Sequence, residues 1–330
     1  MENTSIAPLL DVRNLATWFY MPKNLFSRKN DPIRAVDRVS FFINQKETLG
    51  LVGESGCGKT TLGRTILGLE TPVDGEIIFS GKKIAGAGTA LKAKDEKNLR
   101  KRMQVVFQDP LSSLNPRMNV MDIVTEGLLE FKMIKKKERA DAARRLMGVV
   151  GLDKDAIYRF PHEFSGGQRQ RINVARAISL NPKLIICDEA VSALDVSVQA
   201  QVINLFSDLR EKYGLSYLFI SHDLSVVSNI ADRIAVMYLG RIVEQGRCED
   251  VIFSPMHPYT RALIDAVPVA GKEKQQKMPL SGDVPSPLSP PPGCTFHPRC
   301  PKAMDVCRKT FPDVVSSGVI GEHRVACHLY

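Results

Sequence analysis

The chain has 330 residues, of which 44% are hydrophobic and 25% charged, so it can bury a sizeable core and has room for one large domain plus an appendage. Lysine and arginine outnumber aspartate and glutamate by 45 to 36, a surplus that suits nucleic acid, an anionic membrane surface or phosphate ligands. The basic residues at 134–145 mix with acids on an apparent helix, and no basic patch is interleaved with aromatic residues. We therefore interpret the surplus as a solvated surface and expect no nucleic-acid partner.

The sequence gives no sign of export or of membrane insertion. No apolar run approaches the roughly 18 residues that cross a bilayer. The N-terminus has acidic residues and lacks the basic-then-apolar pattern of a signal peptide. We expect the chain to be made and to remain in the cytosol.

Short apolar runs and glycine turns predict the first elements of the chain. Residues 47–53 (ETLGLVG) predict a buried strand that ends in glycine, and residues 59–69 continue as a helix. The stretch 75–84 predicts two β segments around a Ser-Gly turn.

A helical block is followed by alternating strands and helices. From about 112 to 180 the periodicity is helical, most clearly at 141–150 and 168–178. Strands and helices then alternate over 183–187, 196–212, 216–221, 224–231 and 233–238. The alternation predicts an α/β fold with a parallel sheet flanked by helices, and the helical block predicts an inserted subdomain.

The character of the chain changes near residue 250. Pro255, Pro258 and a run of prolines over 285–292 indicate a linker. We therefore divide the chain into one domain over 1–250 and an extension over 251–330.

Four of the seven cysteines crowd into the tail, and in the cytosol such a cluster indicates metal ligation rather than disulfides. They are Cys294, Cys300, Cys307 and Cys327. The spacing lacks the C-x₂-C pairs of common zinc modules, and four thiolates suit either an iron–sulfur cluster or zinc. His297, His323 and His328 are nearby alternative ligands.

The segment 53–60 (GESGCGKT) fits the pattern G-x-x-x-x-G-K-[ST]. A phosphate chain needs a concave ring of backbone N–H groups, and glycines let the backbone approach without a Cβ in the way. The following helix directs its positive end at the same phosphates. We predict that Lys59 contacts the β- and γ-phosphates and that Thr60 ligates Mg²⁺. The candidate phosphate-binding residues are Gly53, Glu54, Ser55, Gly56, Cys57, Gly58, Lys59, Thr60 and Thr61.

Two adjacent carboxylates, Asp188 and Glu189, follow the apolar run 184–187. Such a strand delivers them to its carboxyl end, where open α/β sheets bind ligands. Because side chains alternate along a strand, we expect the two carboxylates to point in different directions. One can then hold the Mg²⁺ shell while the other reaches an attacking water.

The segment 164–171 (FSGGQRQR) opens a helix, where Ser165 reads as an N-cap and the glycines as a turn. An exposed helix N-terminus with glycines is also an anion site. With this segment the chain resembles an ABC-transporter nucleotide-binding domain. The residues that match the signature motif of that family are Ser165, Gly166, Gly167 and Gln168. The resemblance implies a P-loop NTPase with an inserted helical subdomain, an N-terminal antiparallel β subdomain and a cysteine-containing C-terminal extension.

The remaining motifs of the family fall in order along the chain. Gln108 in VVFQDP matches the Q-loop, which is implied to sense the γ-phosphate, to share in the Mg²⁺ site and to face the membrane partner. Residues 192–195 (SALD) match the D-loop at the dimer interface, and His222 in FISHD matches the histidine that contacts the γ-phosphate. The candidates for stacking on adenine are Phe19, where the family places its aromatic residue, and alternatively Trp18 and Tyr20.

The resemblance also implies a mechanism. Two such domains sandwich two ATP molecules head to tail, each held by Lys59 of one domain and by Ser165 and Gly167 of the other. Glu189 would polarise the attacking water, while Mg²⁺, Lys59 and His222 stabilise charge on the transferring phosphoryl group.

Longer segments are similar to the ATPases of oligopeptide and dipeptide permeases, especially the F-type subunit. They are FQDPLSSLNPRM, ICDEAVSALDVSVQAQV, SPMHPYTRAL and PSPLSPPPGCTFHPRCP. This similarity implies a heterodimer with a second ATPase on the cytoplasmic face of the membrane, beneath two transmembrane permease subunits served by an extracytoplasmic binding protein. It implies peptide uptake, with nickel or glutathione as alternative substrates, and a [4Fe-4S] cluster on the tail cysteines, with zinc as the alternative.

One residue departs from the pattern of the subfamily. Ala190 stands where proline usually follows the catalytic glutamate, which puts the stiffness of that loop in question rather than the chemistry.

A rival class is the soluble ABC ATPases of DNA repair or translation. Those proteins usually have a long coiled-coil insertion or two cassettes in one chain, and this sequence has neither.

Overall fold

The computed structural model describes residues 7–20, 32–86, 91–266, 284–317 and 323–330. The chain divides into two compact units. The first comprises Met1–Asn44, Thr48–Ala90 and Ser221–Tyr330, and the second comprises Gln45–Glu47 and Leu91–Ile220. Parts of the expected C-terminal extension, residues 267–283 and 318–322, lie outside the described residues. The domain boundary near residue 250 therefore stays a prediction.

The elements are numbered in chain order. The strands are β1 (Leu10–Phe19), β2 (Ile33–Ile43), β3 (Thr48–Val52), β4 (Asp74–Phe79), β5 (Lys82–Gly86), β6 (Met103–Val106), β7 (Leu184–Asp188), β8 (Ser216–Ser221), β9 (Arg233–Tyr238), β10 (Arg241–Arg247), β11 (Val314–Ser317) and β12 (His323–Ala326). The helices are α1 (Lys59–Ile66), α2 (Ala93–Arg102), α3 (Pro110–Ser113), α4 (Val120–Glu130), α5 (Arg139–Val149), α6 (Gly166–Ile178), α7 (Val196–Tyr213), α8 (Leu224–Ser228), α9 (Cys248–Phe253) and α10 (Pro258–Ala266).

The first unit contains an antiparallel sheet in the order β2-β1-β4-β5. In β1 the buried side chains alternate from Leu10 to Val12 and then resume at Leu15. The interruption is a bulge at Asn14, whose φ of 46° lies in the left-handed region that asparagine tolerates. Its backbone N–H donates to Ser40 Oγ at 2.8 Å. This sheet is the antiparallel β subdomain that the family resemblance implied.

Five further strands of the first unit run in the order β11-β12-β10-β9-β3. The pair β3 and β9 is parallel, and the pairs β9–β10, β10–β12 and β11–β12 are antiparallel. All five residues of β3 are buried. At Gly50 a Cβ would lie 2.1 Å from Val227 Cγ1, so glycine is needed for helix α8 to pack this closely on the strand.

The second unit contains three parallel strands in the order β8-β7-β6. Their near-continuous apolar sequences are typical of parallel strands covered on both faces. Helix α7 is capped by Asp195, which accepts from Val198 N at 2.9 Å, and it ends at Gly214 with φ 64°. Phe206 on this helix meets Tyr217 and Phe219 edge to face. The α/β prediction is confirmed.

Helices dominate the stretch between β6 and β7. Asn119 caps α4 by accepting from Asp122 N at 2.8 Å, and Arg139 at the start of α5 pairs with the same Asp122. Helix α2 and strand β6 precede this stretch and were not predicted. None of the helices in the described part of the chain is long and apolar enough to span a membrane.

A buried carboxylate in β10 joins the C-terminal segments to the rest of the first unit. Glu244 in β10 has 0% exposure, and its oxygens accept from Met256 N at 2.7 Å and from His257 N at 2.8 Å. His323 Nε2 at the start of β12 lies 2.7 Å from the same carboxylate. Burying a carboxylate is tolerable here because donors surround it.

His257 is a buried histidine that the fold keeps neutral. Its Nδ1 accepts from Tyr259 N at 3.0 Å, and burial lowers its pKa to about 3. The unfolded chain takes up this proton near pH 6.5 and the folded chain does not. The stability that the neutral ring contributes is therefore complete above pH 6.5 and is lost as the pH falls toward 3.

We predict that His257→Asn, whose side-chain oxygen can replace Nδ1 as acceptor, makes stability less sensitive to acid. Between pH 6 and 4 the wild type should lose about 1.4 kcal/mol more per pH unit than the variant, the value for one proton. Urea unfolding across this pH range measures the difference. The exposed His162 provides the control, since His162→Asn should leave the wild-type slope unchanged. Equal slopes for wild type and His257→Asn would contradict the prediction.

Candidate nucleotide site

The loop between β3 and α1 has a backbone that only glycine can build at two positions. Gly58, at the N-cap of α1, has φ 109°, and a Cβ there would lie 2.0 Å from the carbonyl oxygen of Ala35. A Cβ on Gly53 would lie 2.1 Å from the carbonyl oxygen of Met237. The loop is thus pressed against neighbouring backbone, and its outer members Ser55, Gly56 and Thr60 are exposed, as a phosphate cradle requires.

Lys59 lies inside this loop with only 4% exposure. Its Nζ donates to the carbonyl oxygens of Gly53 at 2.7 Å and Glu54 at 2.9 Å, and Cys57 Sγ lies 3.8 Å away. Burial raises the pKa of the Cys57 thiol, so this cysteine is a neutral packing residue. The loop therefore encloses one ammonium group, held by two of its own carbonyl oxygens, and such a charge suits a phosphate chain with bound Mg²⁺.

Glu54 forms hydrogen bonds with two residues that the sequence analysis did not predict as its partners. Its carboxylate accepts from Arg299 Nη1 at 2.7 Å and from Arg299 Nη2 at 3.0 Å. Its backbone N–H donates to Tyr259 Oη at 2.9 Å. Arg299 and Tyr259 belong to the predicted extension, and no local signal in the sequence could have linked them to the loop.

The aromatic candidates at the end of β1 differ in exposure. Phe19 is 38% exposed and Tyr20 is 60% exposed. Trp18 is half-buried, and the Arg34 guanidinium covers its ring at 5.0 Å. Phe19 and Tyr20 thus have faces open for stacking.

The candidate histidine also lies in the first unit. His222 directly follows β8, and its side chain is exposed.

In the second unit, two candidates lie at the carboxyl ends of paired strands. Val106 of β6 pairs with Cys187 of β7, so Gln108 and Asp188 follow at the same edge. Glu189 is not a further strand residue because its φ is 49°, although its N–H still donates to Ile220 O of β8 at 3.0 Å. The expected strand alternation therefore does not apply to this carboxylate. Left-handed backbone at a non-glycine residue is uncommon and concentrates at functional sites.

The segment around Ser165 forms a reciprocal cap on α6. Ser165 Oγ accepts from Gln168 N at 3.4 Å, and Gln168 Oε1 accepts from Ser165 N at 3.0 Å. The predicted N-cap is confirmed. Gly166 and Gly167 form the first helical positions, and Ser165 and Gln168 are exposed. The result is an open helix N-terminus that can receive an anion.

The four tail cysteines lie in one part of the first unit. Cys294 N donates to Cys307 O at 2.8 Å. Burial, with smaller contributions from the neighbouring thiols Cys307, Cys327 and Cys300, raises the pKa of Cys294 to about 11. Burial and neighbouring thiols likewise raise the pKa of Cys300 and of Cys327. The raised pKa values keep these thiols protonated in the absence of a metal, and four cysteines are a donor set that suits zinc or an iron–sulfur cluster once a metal deprotonates them. Across the described ranges, however, no three His, Cys, Asp or Glu side chains are placed to hold an ion.

The three alternative histidine ligands are engaged elsewhere. His297 Nδ1 lies 2.9 Å from Cys294 O, and His328 Nε2 lies 3.0 Å from Thr310 O. His323 pairs with Glu244. Each of these contacts uses one ring nitrogen, so they do not exclude the histidines as ligands.

A glycine loop with an enclosed lysine between a buried strand and a helix defines a P-loop NTPase. Residues 36–192 match the family described as ABC transporter, and residues 243–307 match the oligopeptide/dipeptide transporter C-terminal region. The oligopeptide transport ATP-binding protein AppF of Bacillus subtilis is 48% identical over 98% of this chain and 97% of its own length. A putative peptide import ATP-binding protein of Brucella abortus is 52% identical over 90% of this chain and 87% of its own.

Solved structures agree with this match. The cbiO1 protein of Clostridium perfringens, part of an ABC transporter complex, is 25% identical with a TM-score of 0.64, over 76% of this chain and 92% of its own. A dimeric ATP-binding cassette in a post-hydrolysis state with ADP and Pi has the same fold, with 24% identity and a TM-score of 0.62, over 72% of this chain and 98% of its own. The chain belongs to the ATP-hydrolysing proteins of the ABC transporter family, in its oligopeptide/dipeptide branch.

The two glycines of the signature segment differ in the space around them, and this gives a matched pair of variants. A Cβ on Gly167 would lie 2.4 Å from Val198 Cγ1, whereas on Gly166 the nearest atom, Leu194 Cδ2, would be 3.7 Å away. Valine in a helix has one strongly preferred rotamer, so Val198 cannot move aside freely. We predict that Gly167→Ala lowers the free energy of unfolding by about 1–3 kcal/mol through overpacking, while Gly166→Ala does not.

Chemical unfolding of both variants and of the double variant Gly167→Ala/Val198→Ala measures this effect. In the Val198→Ala background the methyl groups that cause the clash are gone. There, Gly167→Ala should lower the free energy of unfolding by much less than it does in the wild type. An equal loss for the two glycine variants would contradict the steric explanation.

Proposed function

We propose that the chain powers an importer of oligopeptides or dipeptides, from the cytoplasmic face of the membrane. One observation supports this most directly. The enclosed Lys59 loop lies in a chain that matches, over 98% of its length, a relative named as an oligopeptide transport protein. The partners in the proposal are a second ATPase, two membrane permease subunits and an extracytoplasmic binding protein. Nickel or glutathione transport is the alternative for the same motor, and a soluble ABC ATPase is a more distant one.

The first unit supplies the groups that bind phosphate. The Lys59 ammonium lies inside the loop on the carbonyl oxygens of Gly53 and Glu54, and it would exchange these partners for phosphate oxygens when nucleotide binds. Thr60 is exposed at the first turn of α1, and we assign its hydroxyl to Mg²⁺. His222 is assigned to the γ-phosphate, and Phe19 to the adenine.

The second unit supplies the groups for hydrolysis. We assign Asp188 and Gln108 to the Mg²⁺ shell and Glu189 to the attacking water. The left-handed backbone of Glu189 is fixed by its own N–H and by Ser192, whose N–H and Oγ donate to Glu189 O at 3.1 and 3.0 Å. A backbone fixed in this way sets the point from which the Glu189 carboxylate would reach the attacking water. Ser165 and Gly167 at the N-terminus of α6 are assigned to the γ-phosphate in the partner ATPase.

We predict that Glu189→Gln abolishes transport but keeps nucleotide binding. The amide has the shape of the carboxylate but cannot take a proton from water, so hydrolysis should fall at least about a hundredfold. Uptake of a labelled short peptide is measured in cells that contain either form, and nucleotide binding is measured on the purified chain. The exposed Glu211 of α7 gives the matched control, since Glu211→Gln should transport normally.

If Glu189→Gln leaves peptide uptake unchanged although hydrolysis is lost, the chain does not power peptide import. Labelled nickel and glutathione are then compared in the same cells. Unchanged hydrolysis would instead contradict the role of Glu189.

The tail cysteines form the second part of the proposal. Cys294, Cys300, Cys307 and Cys327 would hold a [4Fe-4S] cluster, with zinc as the alternative ligand of the same thiols. The support is the concentration of four cysteines in one part of the first unit, where Cys294 N donates to Cys307 O at 2.8 Å. No step of hydrolysis is assigned to the group.

We predict that chain purified without oxygen contains iron and acid-labile sulfide in equal amounts. Cys294→Ser should lower both because it removes one ligand, whereas Cys248→Ser, a half-buried cysteine outside the tail, should not. Metal and sulfide assays with the visible absorption spectrum measure this. A colourless protein that contains zinc would contradict the cluster.

A further inference from the structure

We propose that Arg299 is a positioning residue for the phosphate-binding loop, and that through it the cysteine module (284–317 and 323–330) sets the affinity for nucleotide. This inference rests on the proposed role of residues 53–60 in binding nucleotide, but not on the identity of the transported substrate.

The contact is a bidentate pair between buried or half-buried groups. The two terminal nitrogens of Arg299 meet the two carboxylate oxygens of Glu54 at 2.7 and 3.0 Å. The Arg299 side chain is 5% exposed and that of Glu54 is 24% exposed. Parallel N–H···O bonds fix the orientation of the carboxylate as well as its distance. Removing one partner of such a pair leaves a charge that the surroundings do not compensate.

The C-terminal segments bind both the carboxylate and the backbone N–H of Glu54. Besides the carboxylate, its backbone N–H donates to Tyr259 Oη at 2.9 Å. Tyr259 packs against Tyr238 and Phe296, with ring centroids 4.7 and 5.4 Å away. Arg299 Nη1 also contacts Tyr238 Oη at 3.4 Å. The position of Glu54 in the loop is therefore determined by an aromatic cluster and an arginine, none of which belongs to the loop.

Glu54 passes this constraint directly to the lysine that binds phosphate. The Glu54 carbonyl oxygen accepts from Lys59 Nζ at 2.9 Å and from Cys57 N at 3.3 Å. With the carboxylate and the N–H of Glu54 both bonded, rotation about ψ is the main freedom left to its carbonyl, and the bonds from Lys59 and Cys57 restrict that rotation. Arg299, Glu54 and Lys59 thus form a continuous chain of contacts that ends at the ammonium group.

The backbone of Arg299 is in turn set by the cysteine module. Arg299 N donates to Phe296 O at 3.0 Å, and Cys300 N donates to His297 O at 3.3 Å. The turn His297–Arg299 lies between Cys294 and Cys300, and Cys294 N is bonded to Cys307 O. An ordered module therefore presents the guanidinium, and a disordered one would withdraw it. Because coupling between two sites is reciprocal, nucleotide at the loop should also stabilise the module.

The test measures the dissociation constant of a fluorescent ATP analogue with Mg²⁺ on the full chain. We expect Arg299→Ala to weaken binding roughly tenfold, within the usual range for coupled sites, and Arg299→Lys to weaken it less, because lysine keeps the charge but not the bidentate geometry. Arg308→Ala, which removes an exposed arginine of the same module, should bind as the wild type does. If Arg299→Ala binds the analogue as tightly as wild type, even with a lower melting temperature, the pair is only structural and the proposal is wrong.

A double-variant cycle guards against simple misfolding of Arg299→Ala. Glu54→Gln keeps the backbone bond to Tyr259 and removes the charge. In that background the change Arg299→Lys should have less effect on the dissociation constant than in the wild type. Equal effects in both backgrounds would show that Arg299 does not act through Glu54. Wild-type chain that binds no analogue would instead overturn the proposed nucleotide site itself.

Hydrogen exchange tests the coupling in the opposite direction, from bound nucleotide to the cysteine module. The amides of 293–308 should exchange more slowly when a non-hydrolysable ATP analogue and Mg²⁺ are added to the wild type, and this protection should be smaller in Arg299→Lys. Unchanged exchange in the wild type, with the analogue bound, would contradict the coupling.

Discussion

The arrangement of the C-terminal half of the first unit depends on the hydrogen bonds that the buried Glu244 carboxylate accepts. It lies in the middle of β10 with no exposure, and backbone N–H groups of Met256 and His257 and the ring of His323 surround it. A charge in this position is tolerable only while its donors are present. One side chain therefore fixes both the turn that precedes α10 and the strand β12 that ends the chain.

The placement of α10 has consequences at the phosphate-binding loop. Once residues 256 and 257 are bonded to Glu244, Tyr259 follows two residues later and directs its hydroxyl at Glu54. Tyr238, from the strand before β10, completes the same cluster with Phe296. A segment that looks like an appendage in the sequence is thus part of the wall behind the loop. A second part of that wall is backbone from β9 and from residue 35, because a Cβ on Gly53 would meet Met237 O and a Cβ on Gly58 would meet Ala35 O.

The parts of the fold and site that the sequence predicted are those with a local cause. The 53–60 loop and the Ser165 cap are short patterns in which each residue type serves the backbone beside it, and β7 and β8 are continuous apolar runs. Strand β1 was missed because the bulge at Asn14 breaks its alternation. The Arg299–Glu54 pair joins residues 245 positions apart, and no periodicity records such a contact. Glu189 was placed by strand alternation, but the strand ends one residue earlier.

The backbone conformation of Glu189, where strand β7 has ended, also bears on the alanine at position 190. Proline restricts the residue before it to extended backbone, whereas Glu189 has φ 49°. Alanine places no such restriction on Glu189, and Ala190 is itself buried with 1% exposure. The stiffness that a proline ring would give comes instead from hydrogen bonds, with Ser192 donating to Glu189 O and Gln199 Nε2 donating to Val191 O at 2.9 Å. The backbone that carries the Glu189 carboxylate is therefore held by hydrogen bonds from Ser192 and Gln199 rather than by a proline ring at position 190.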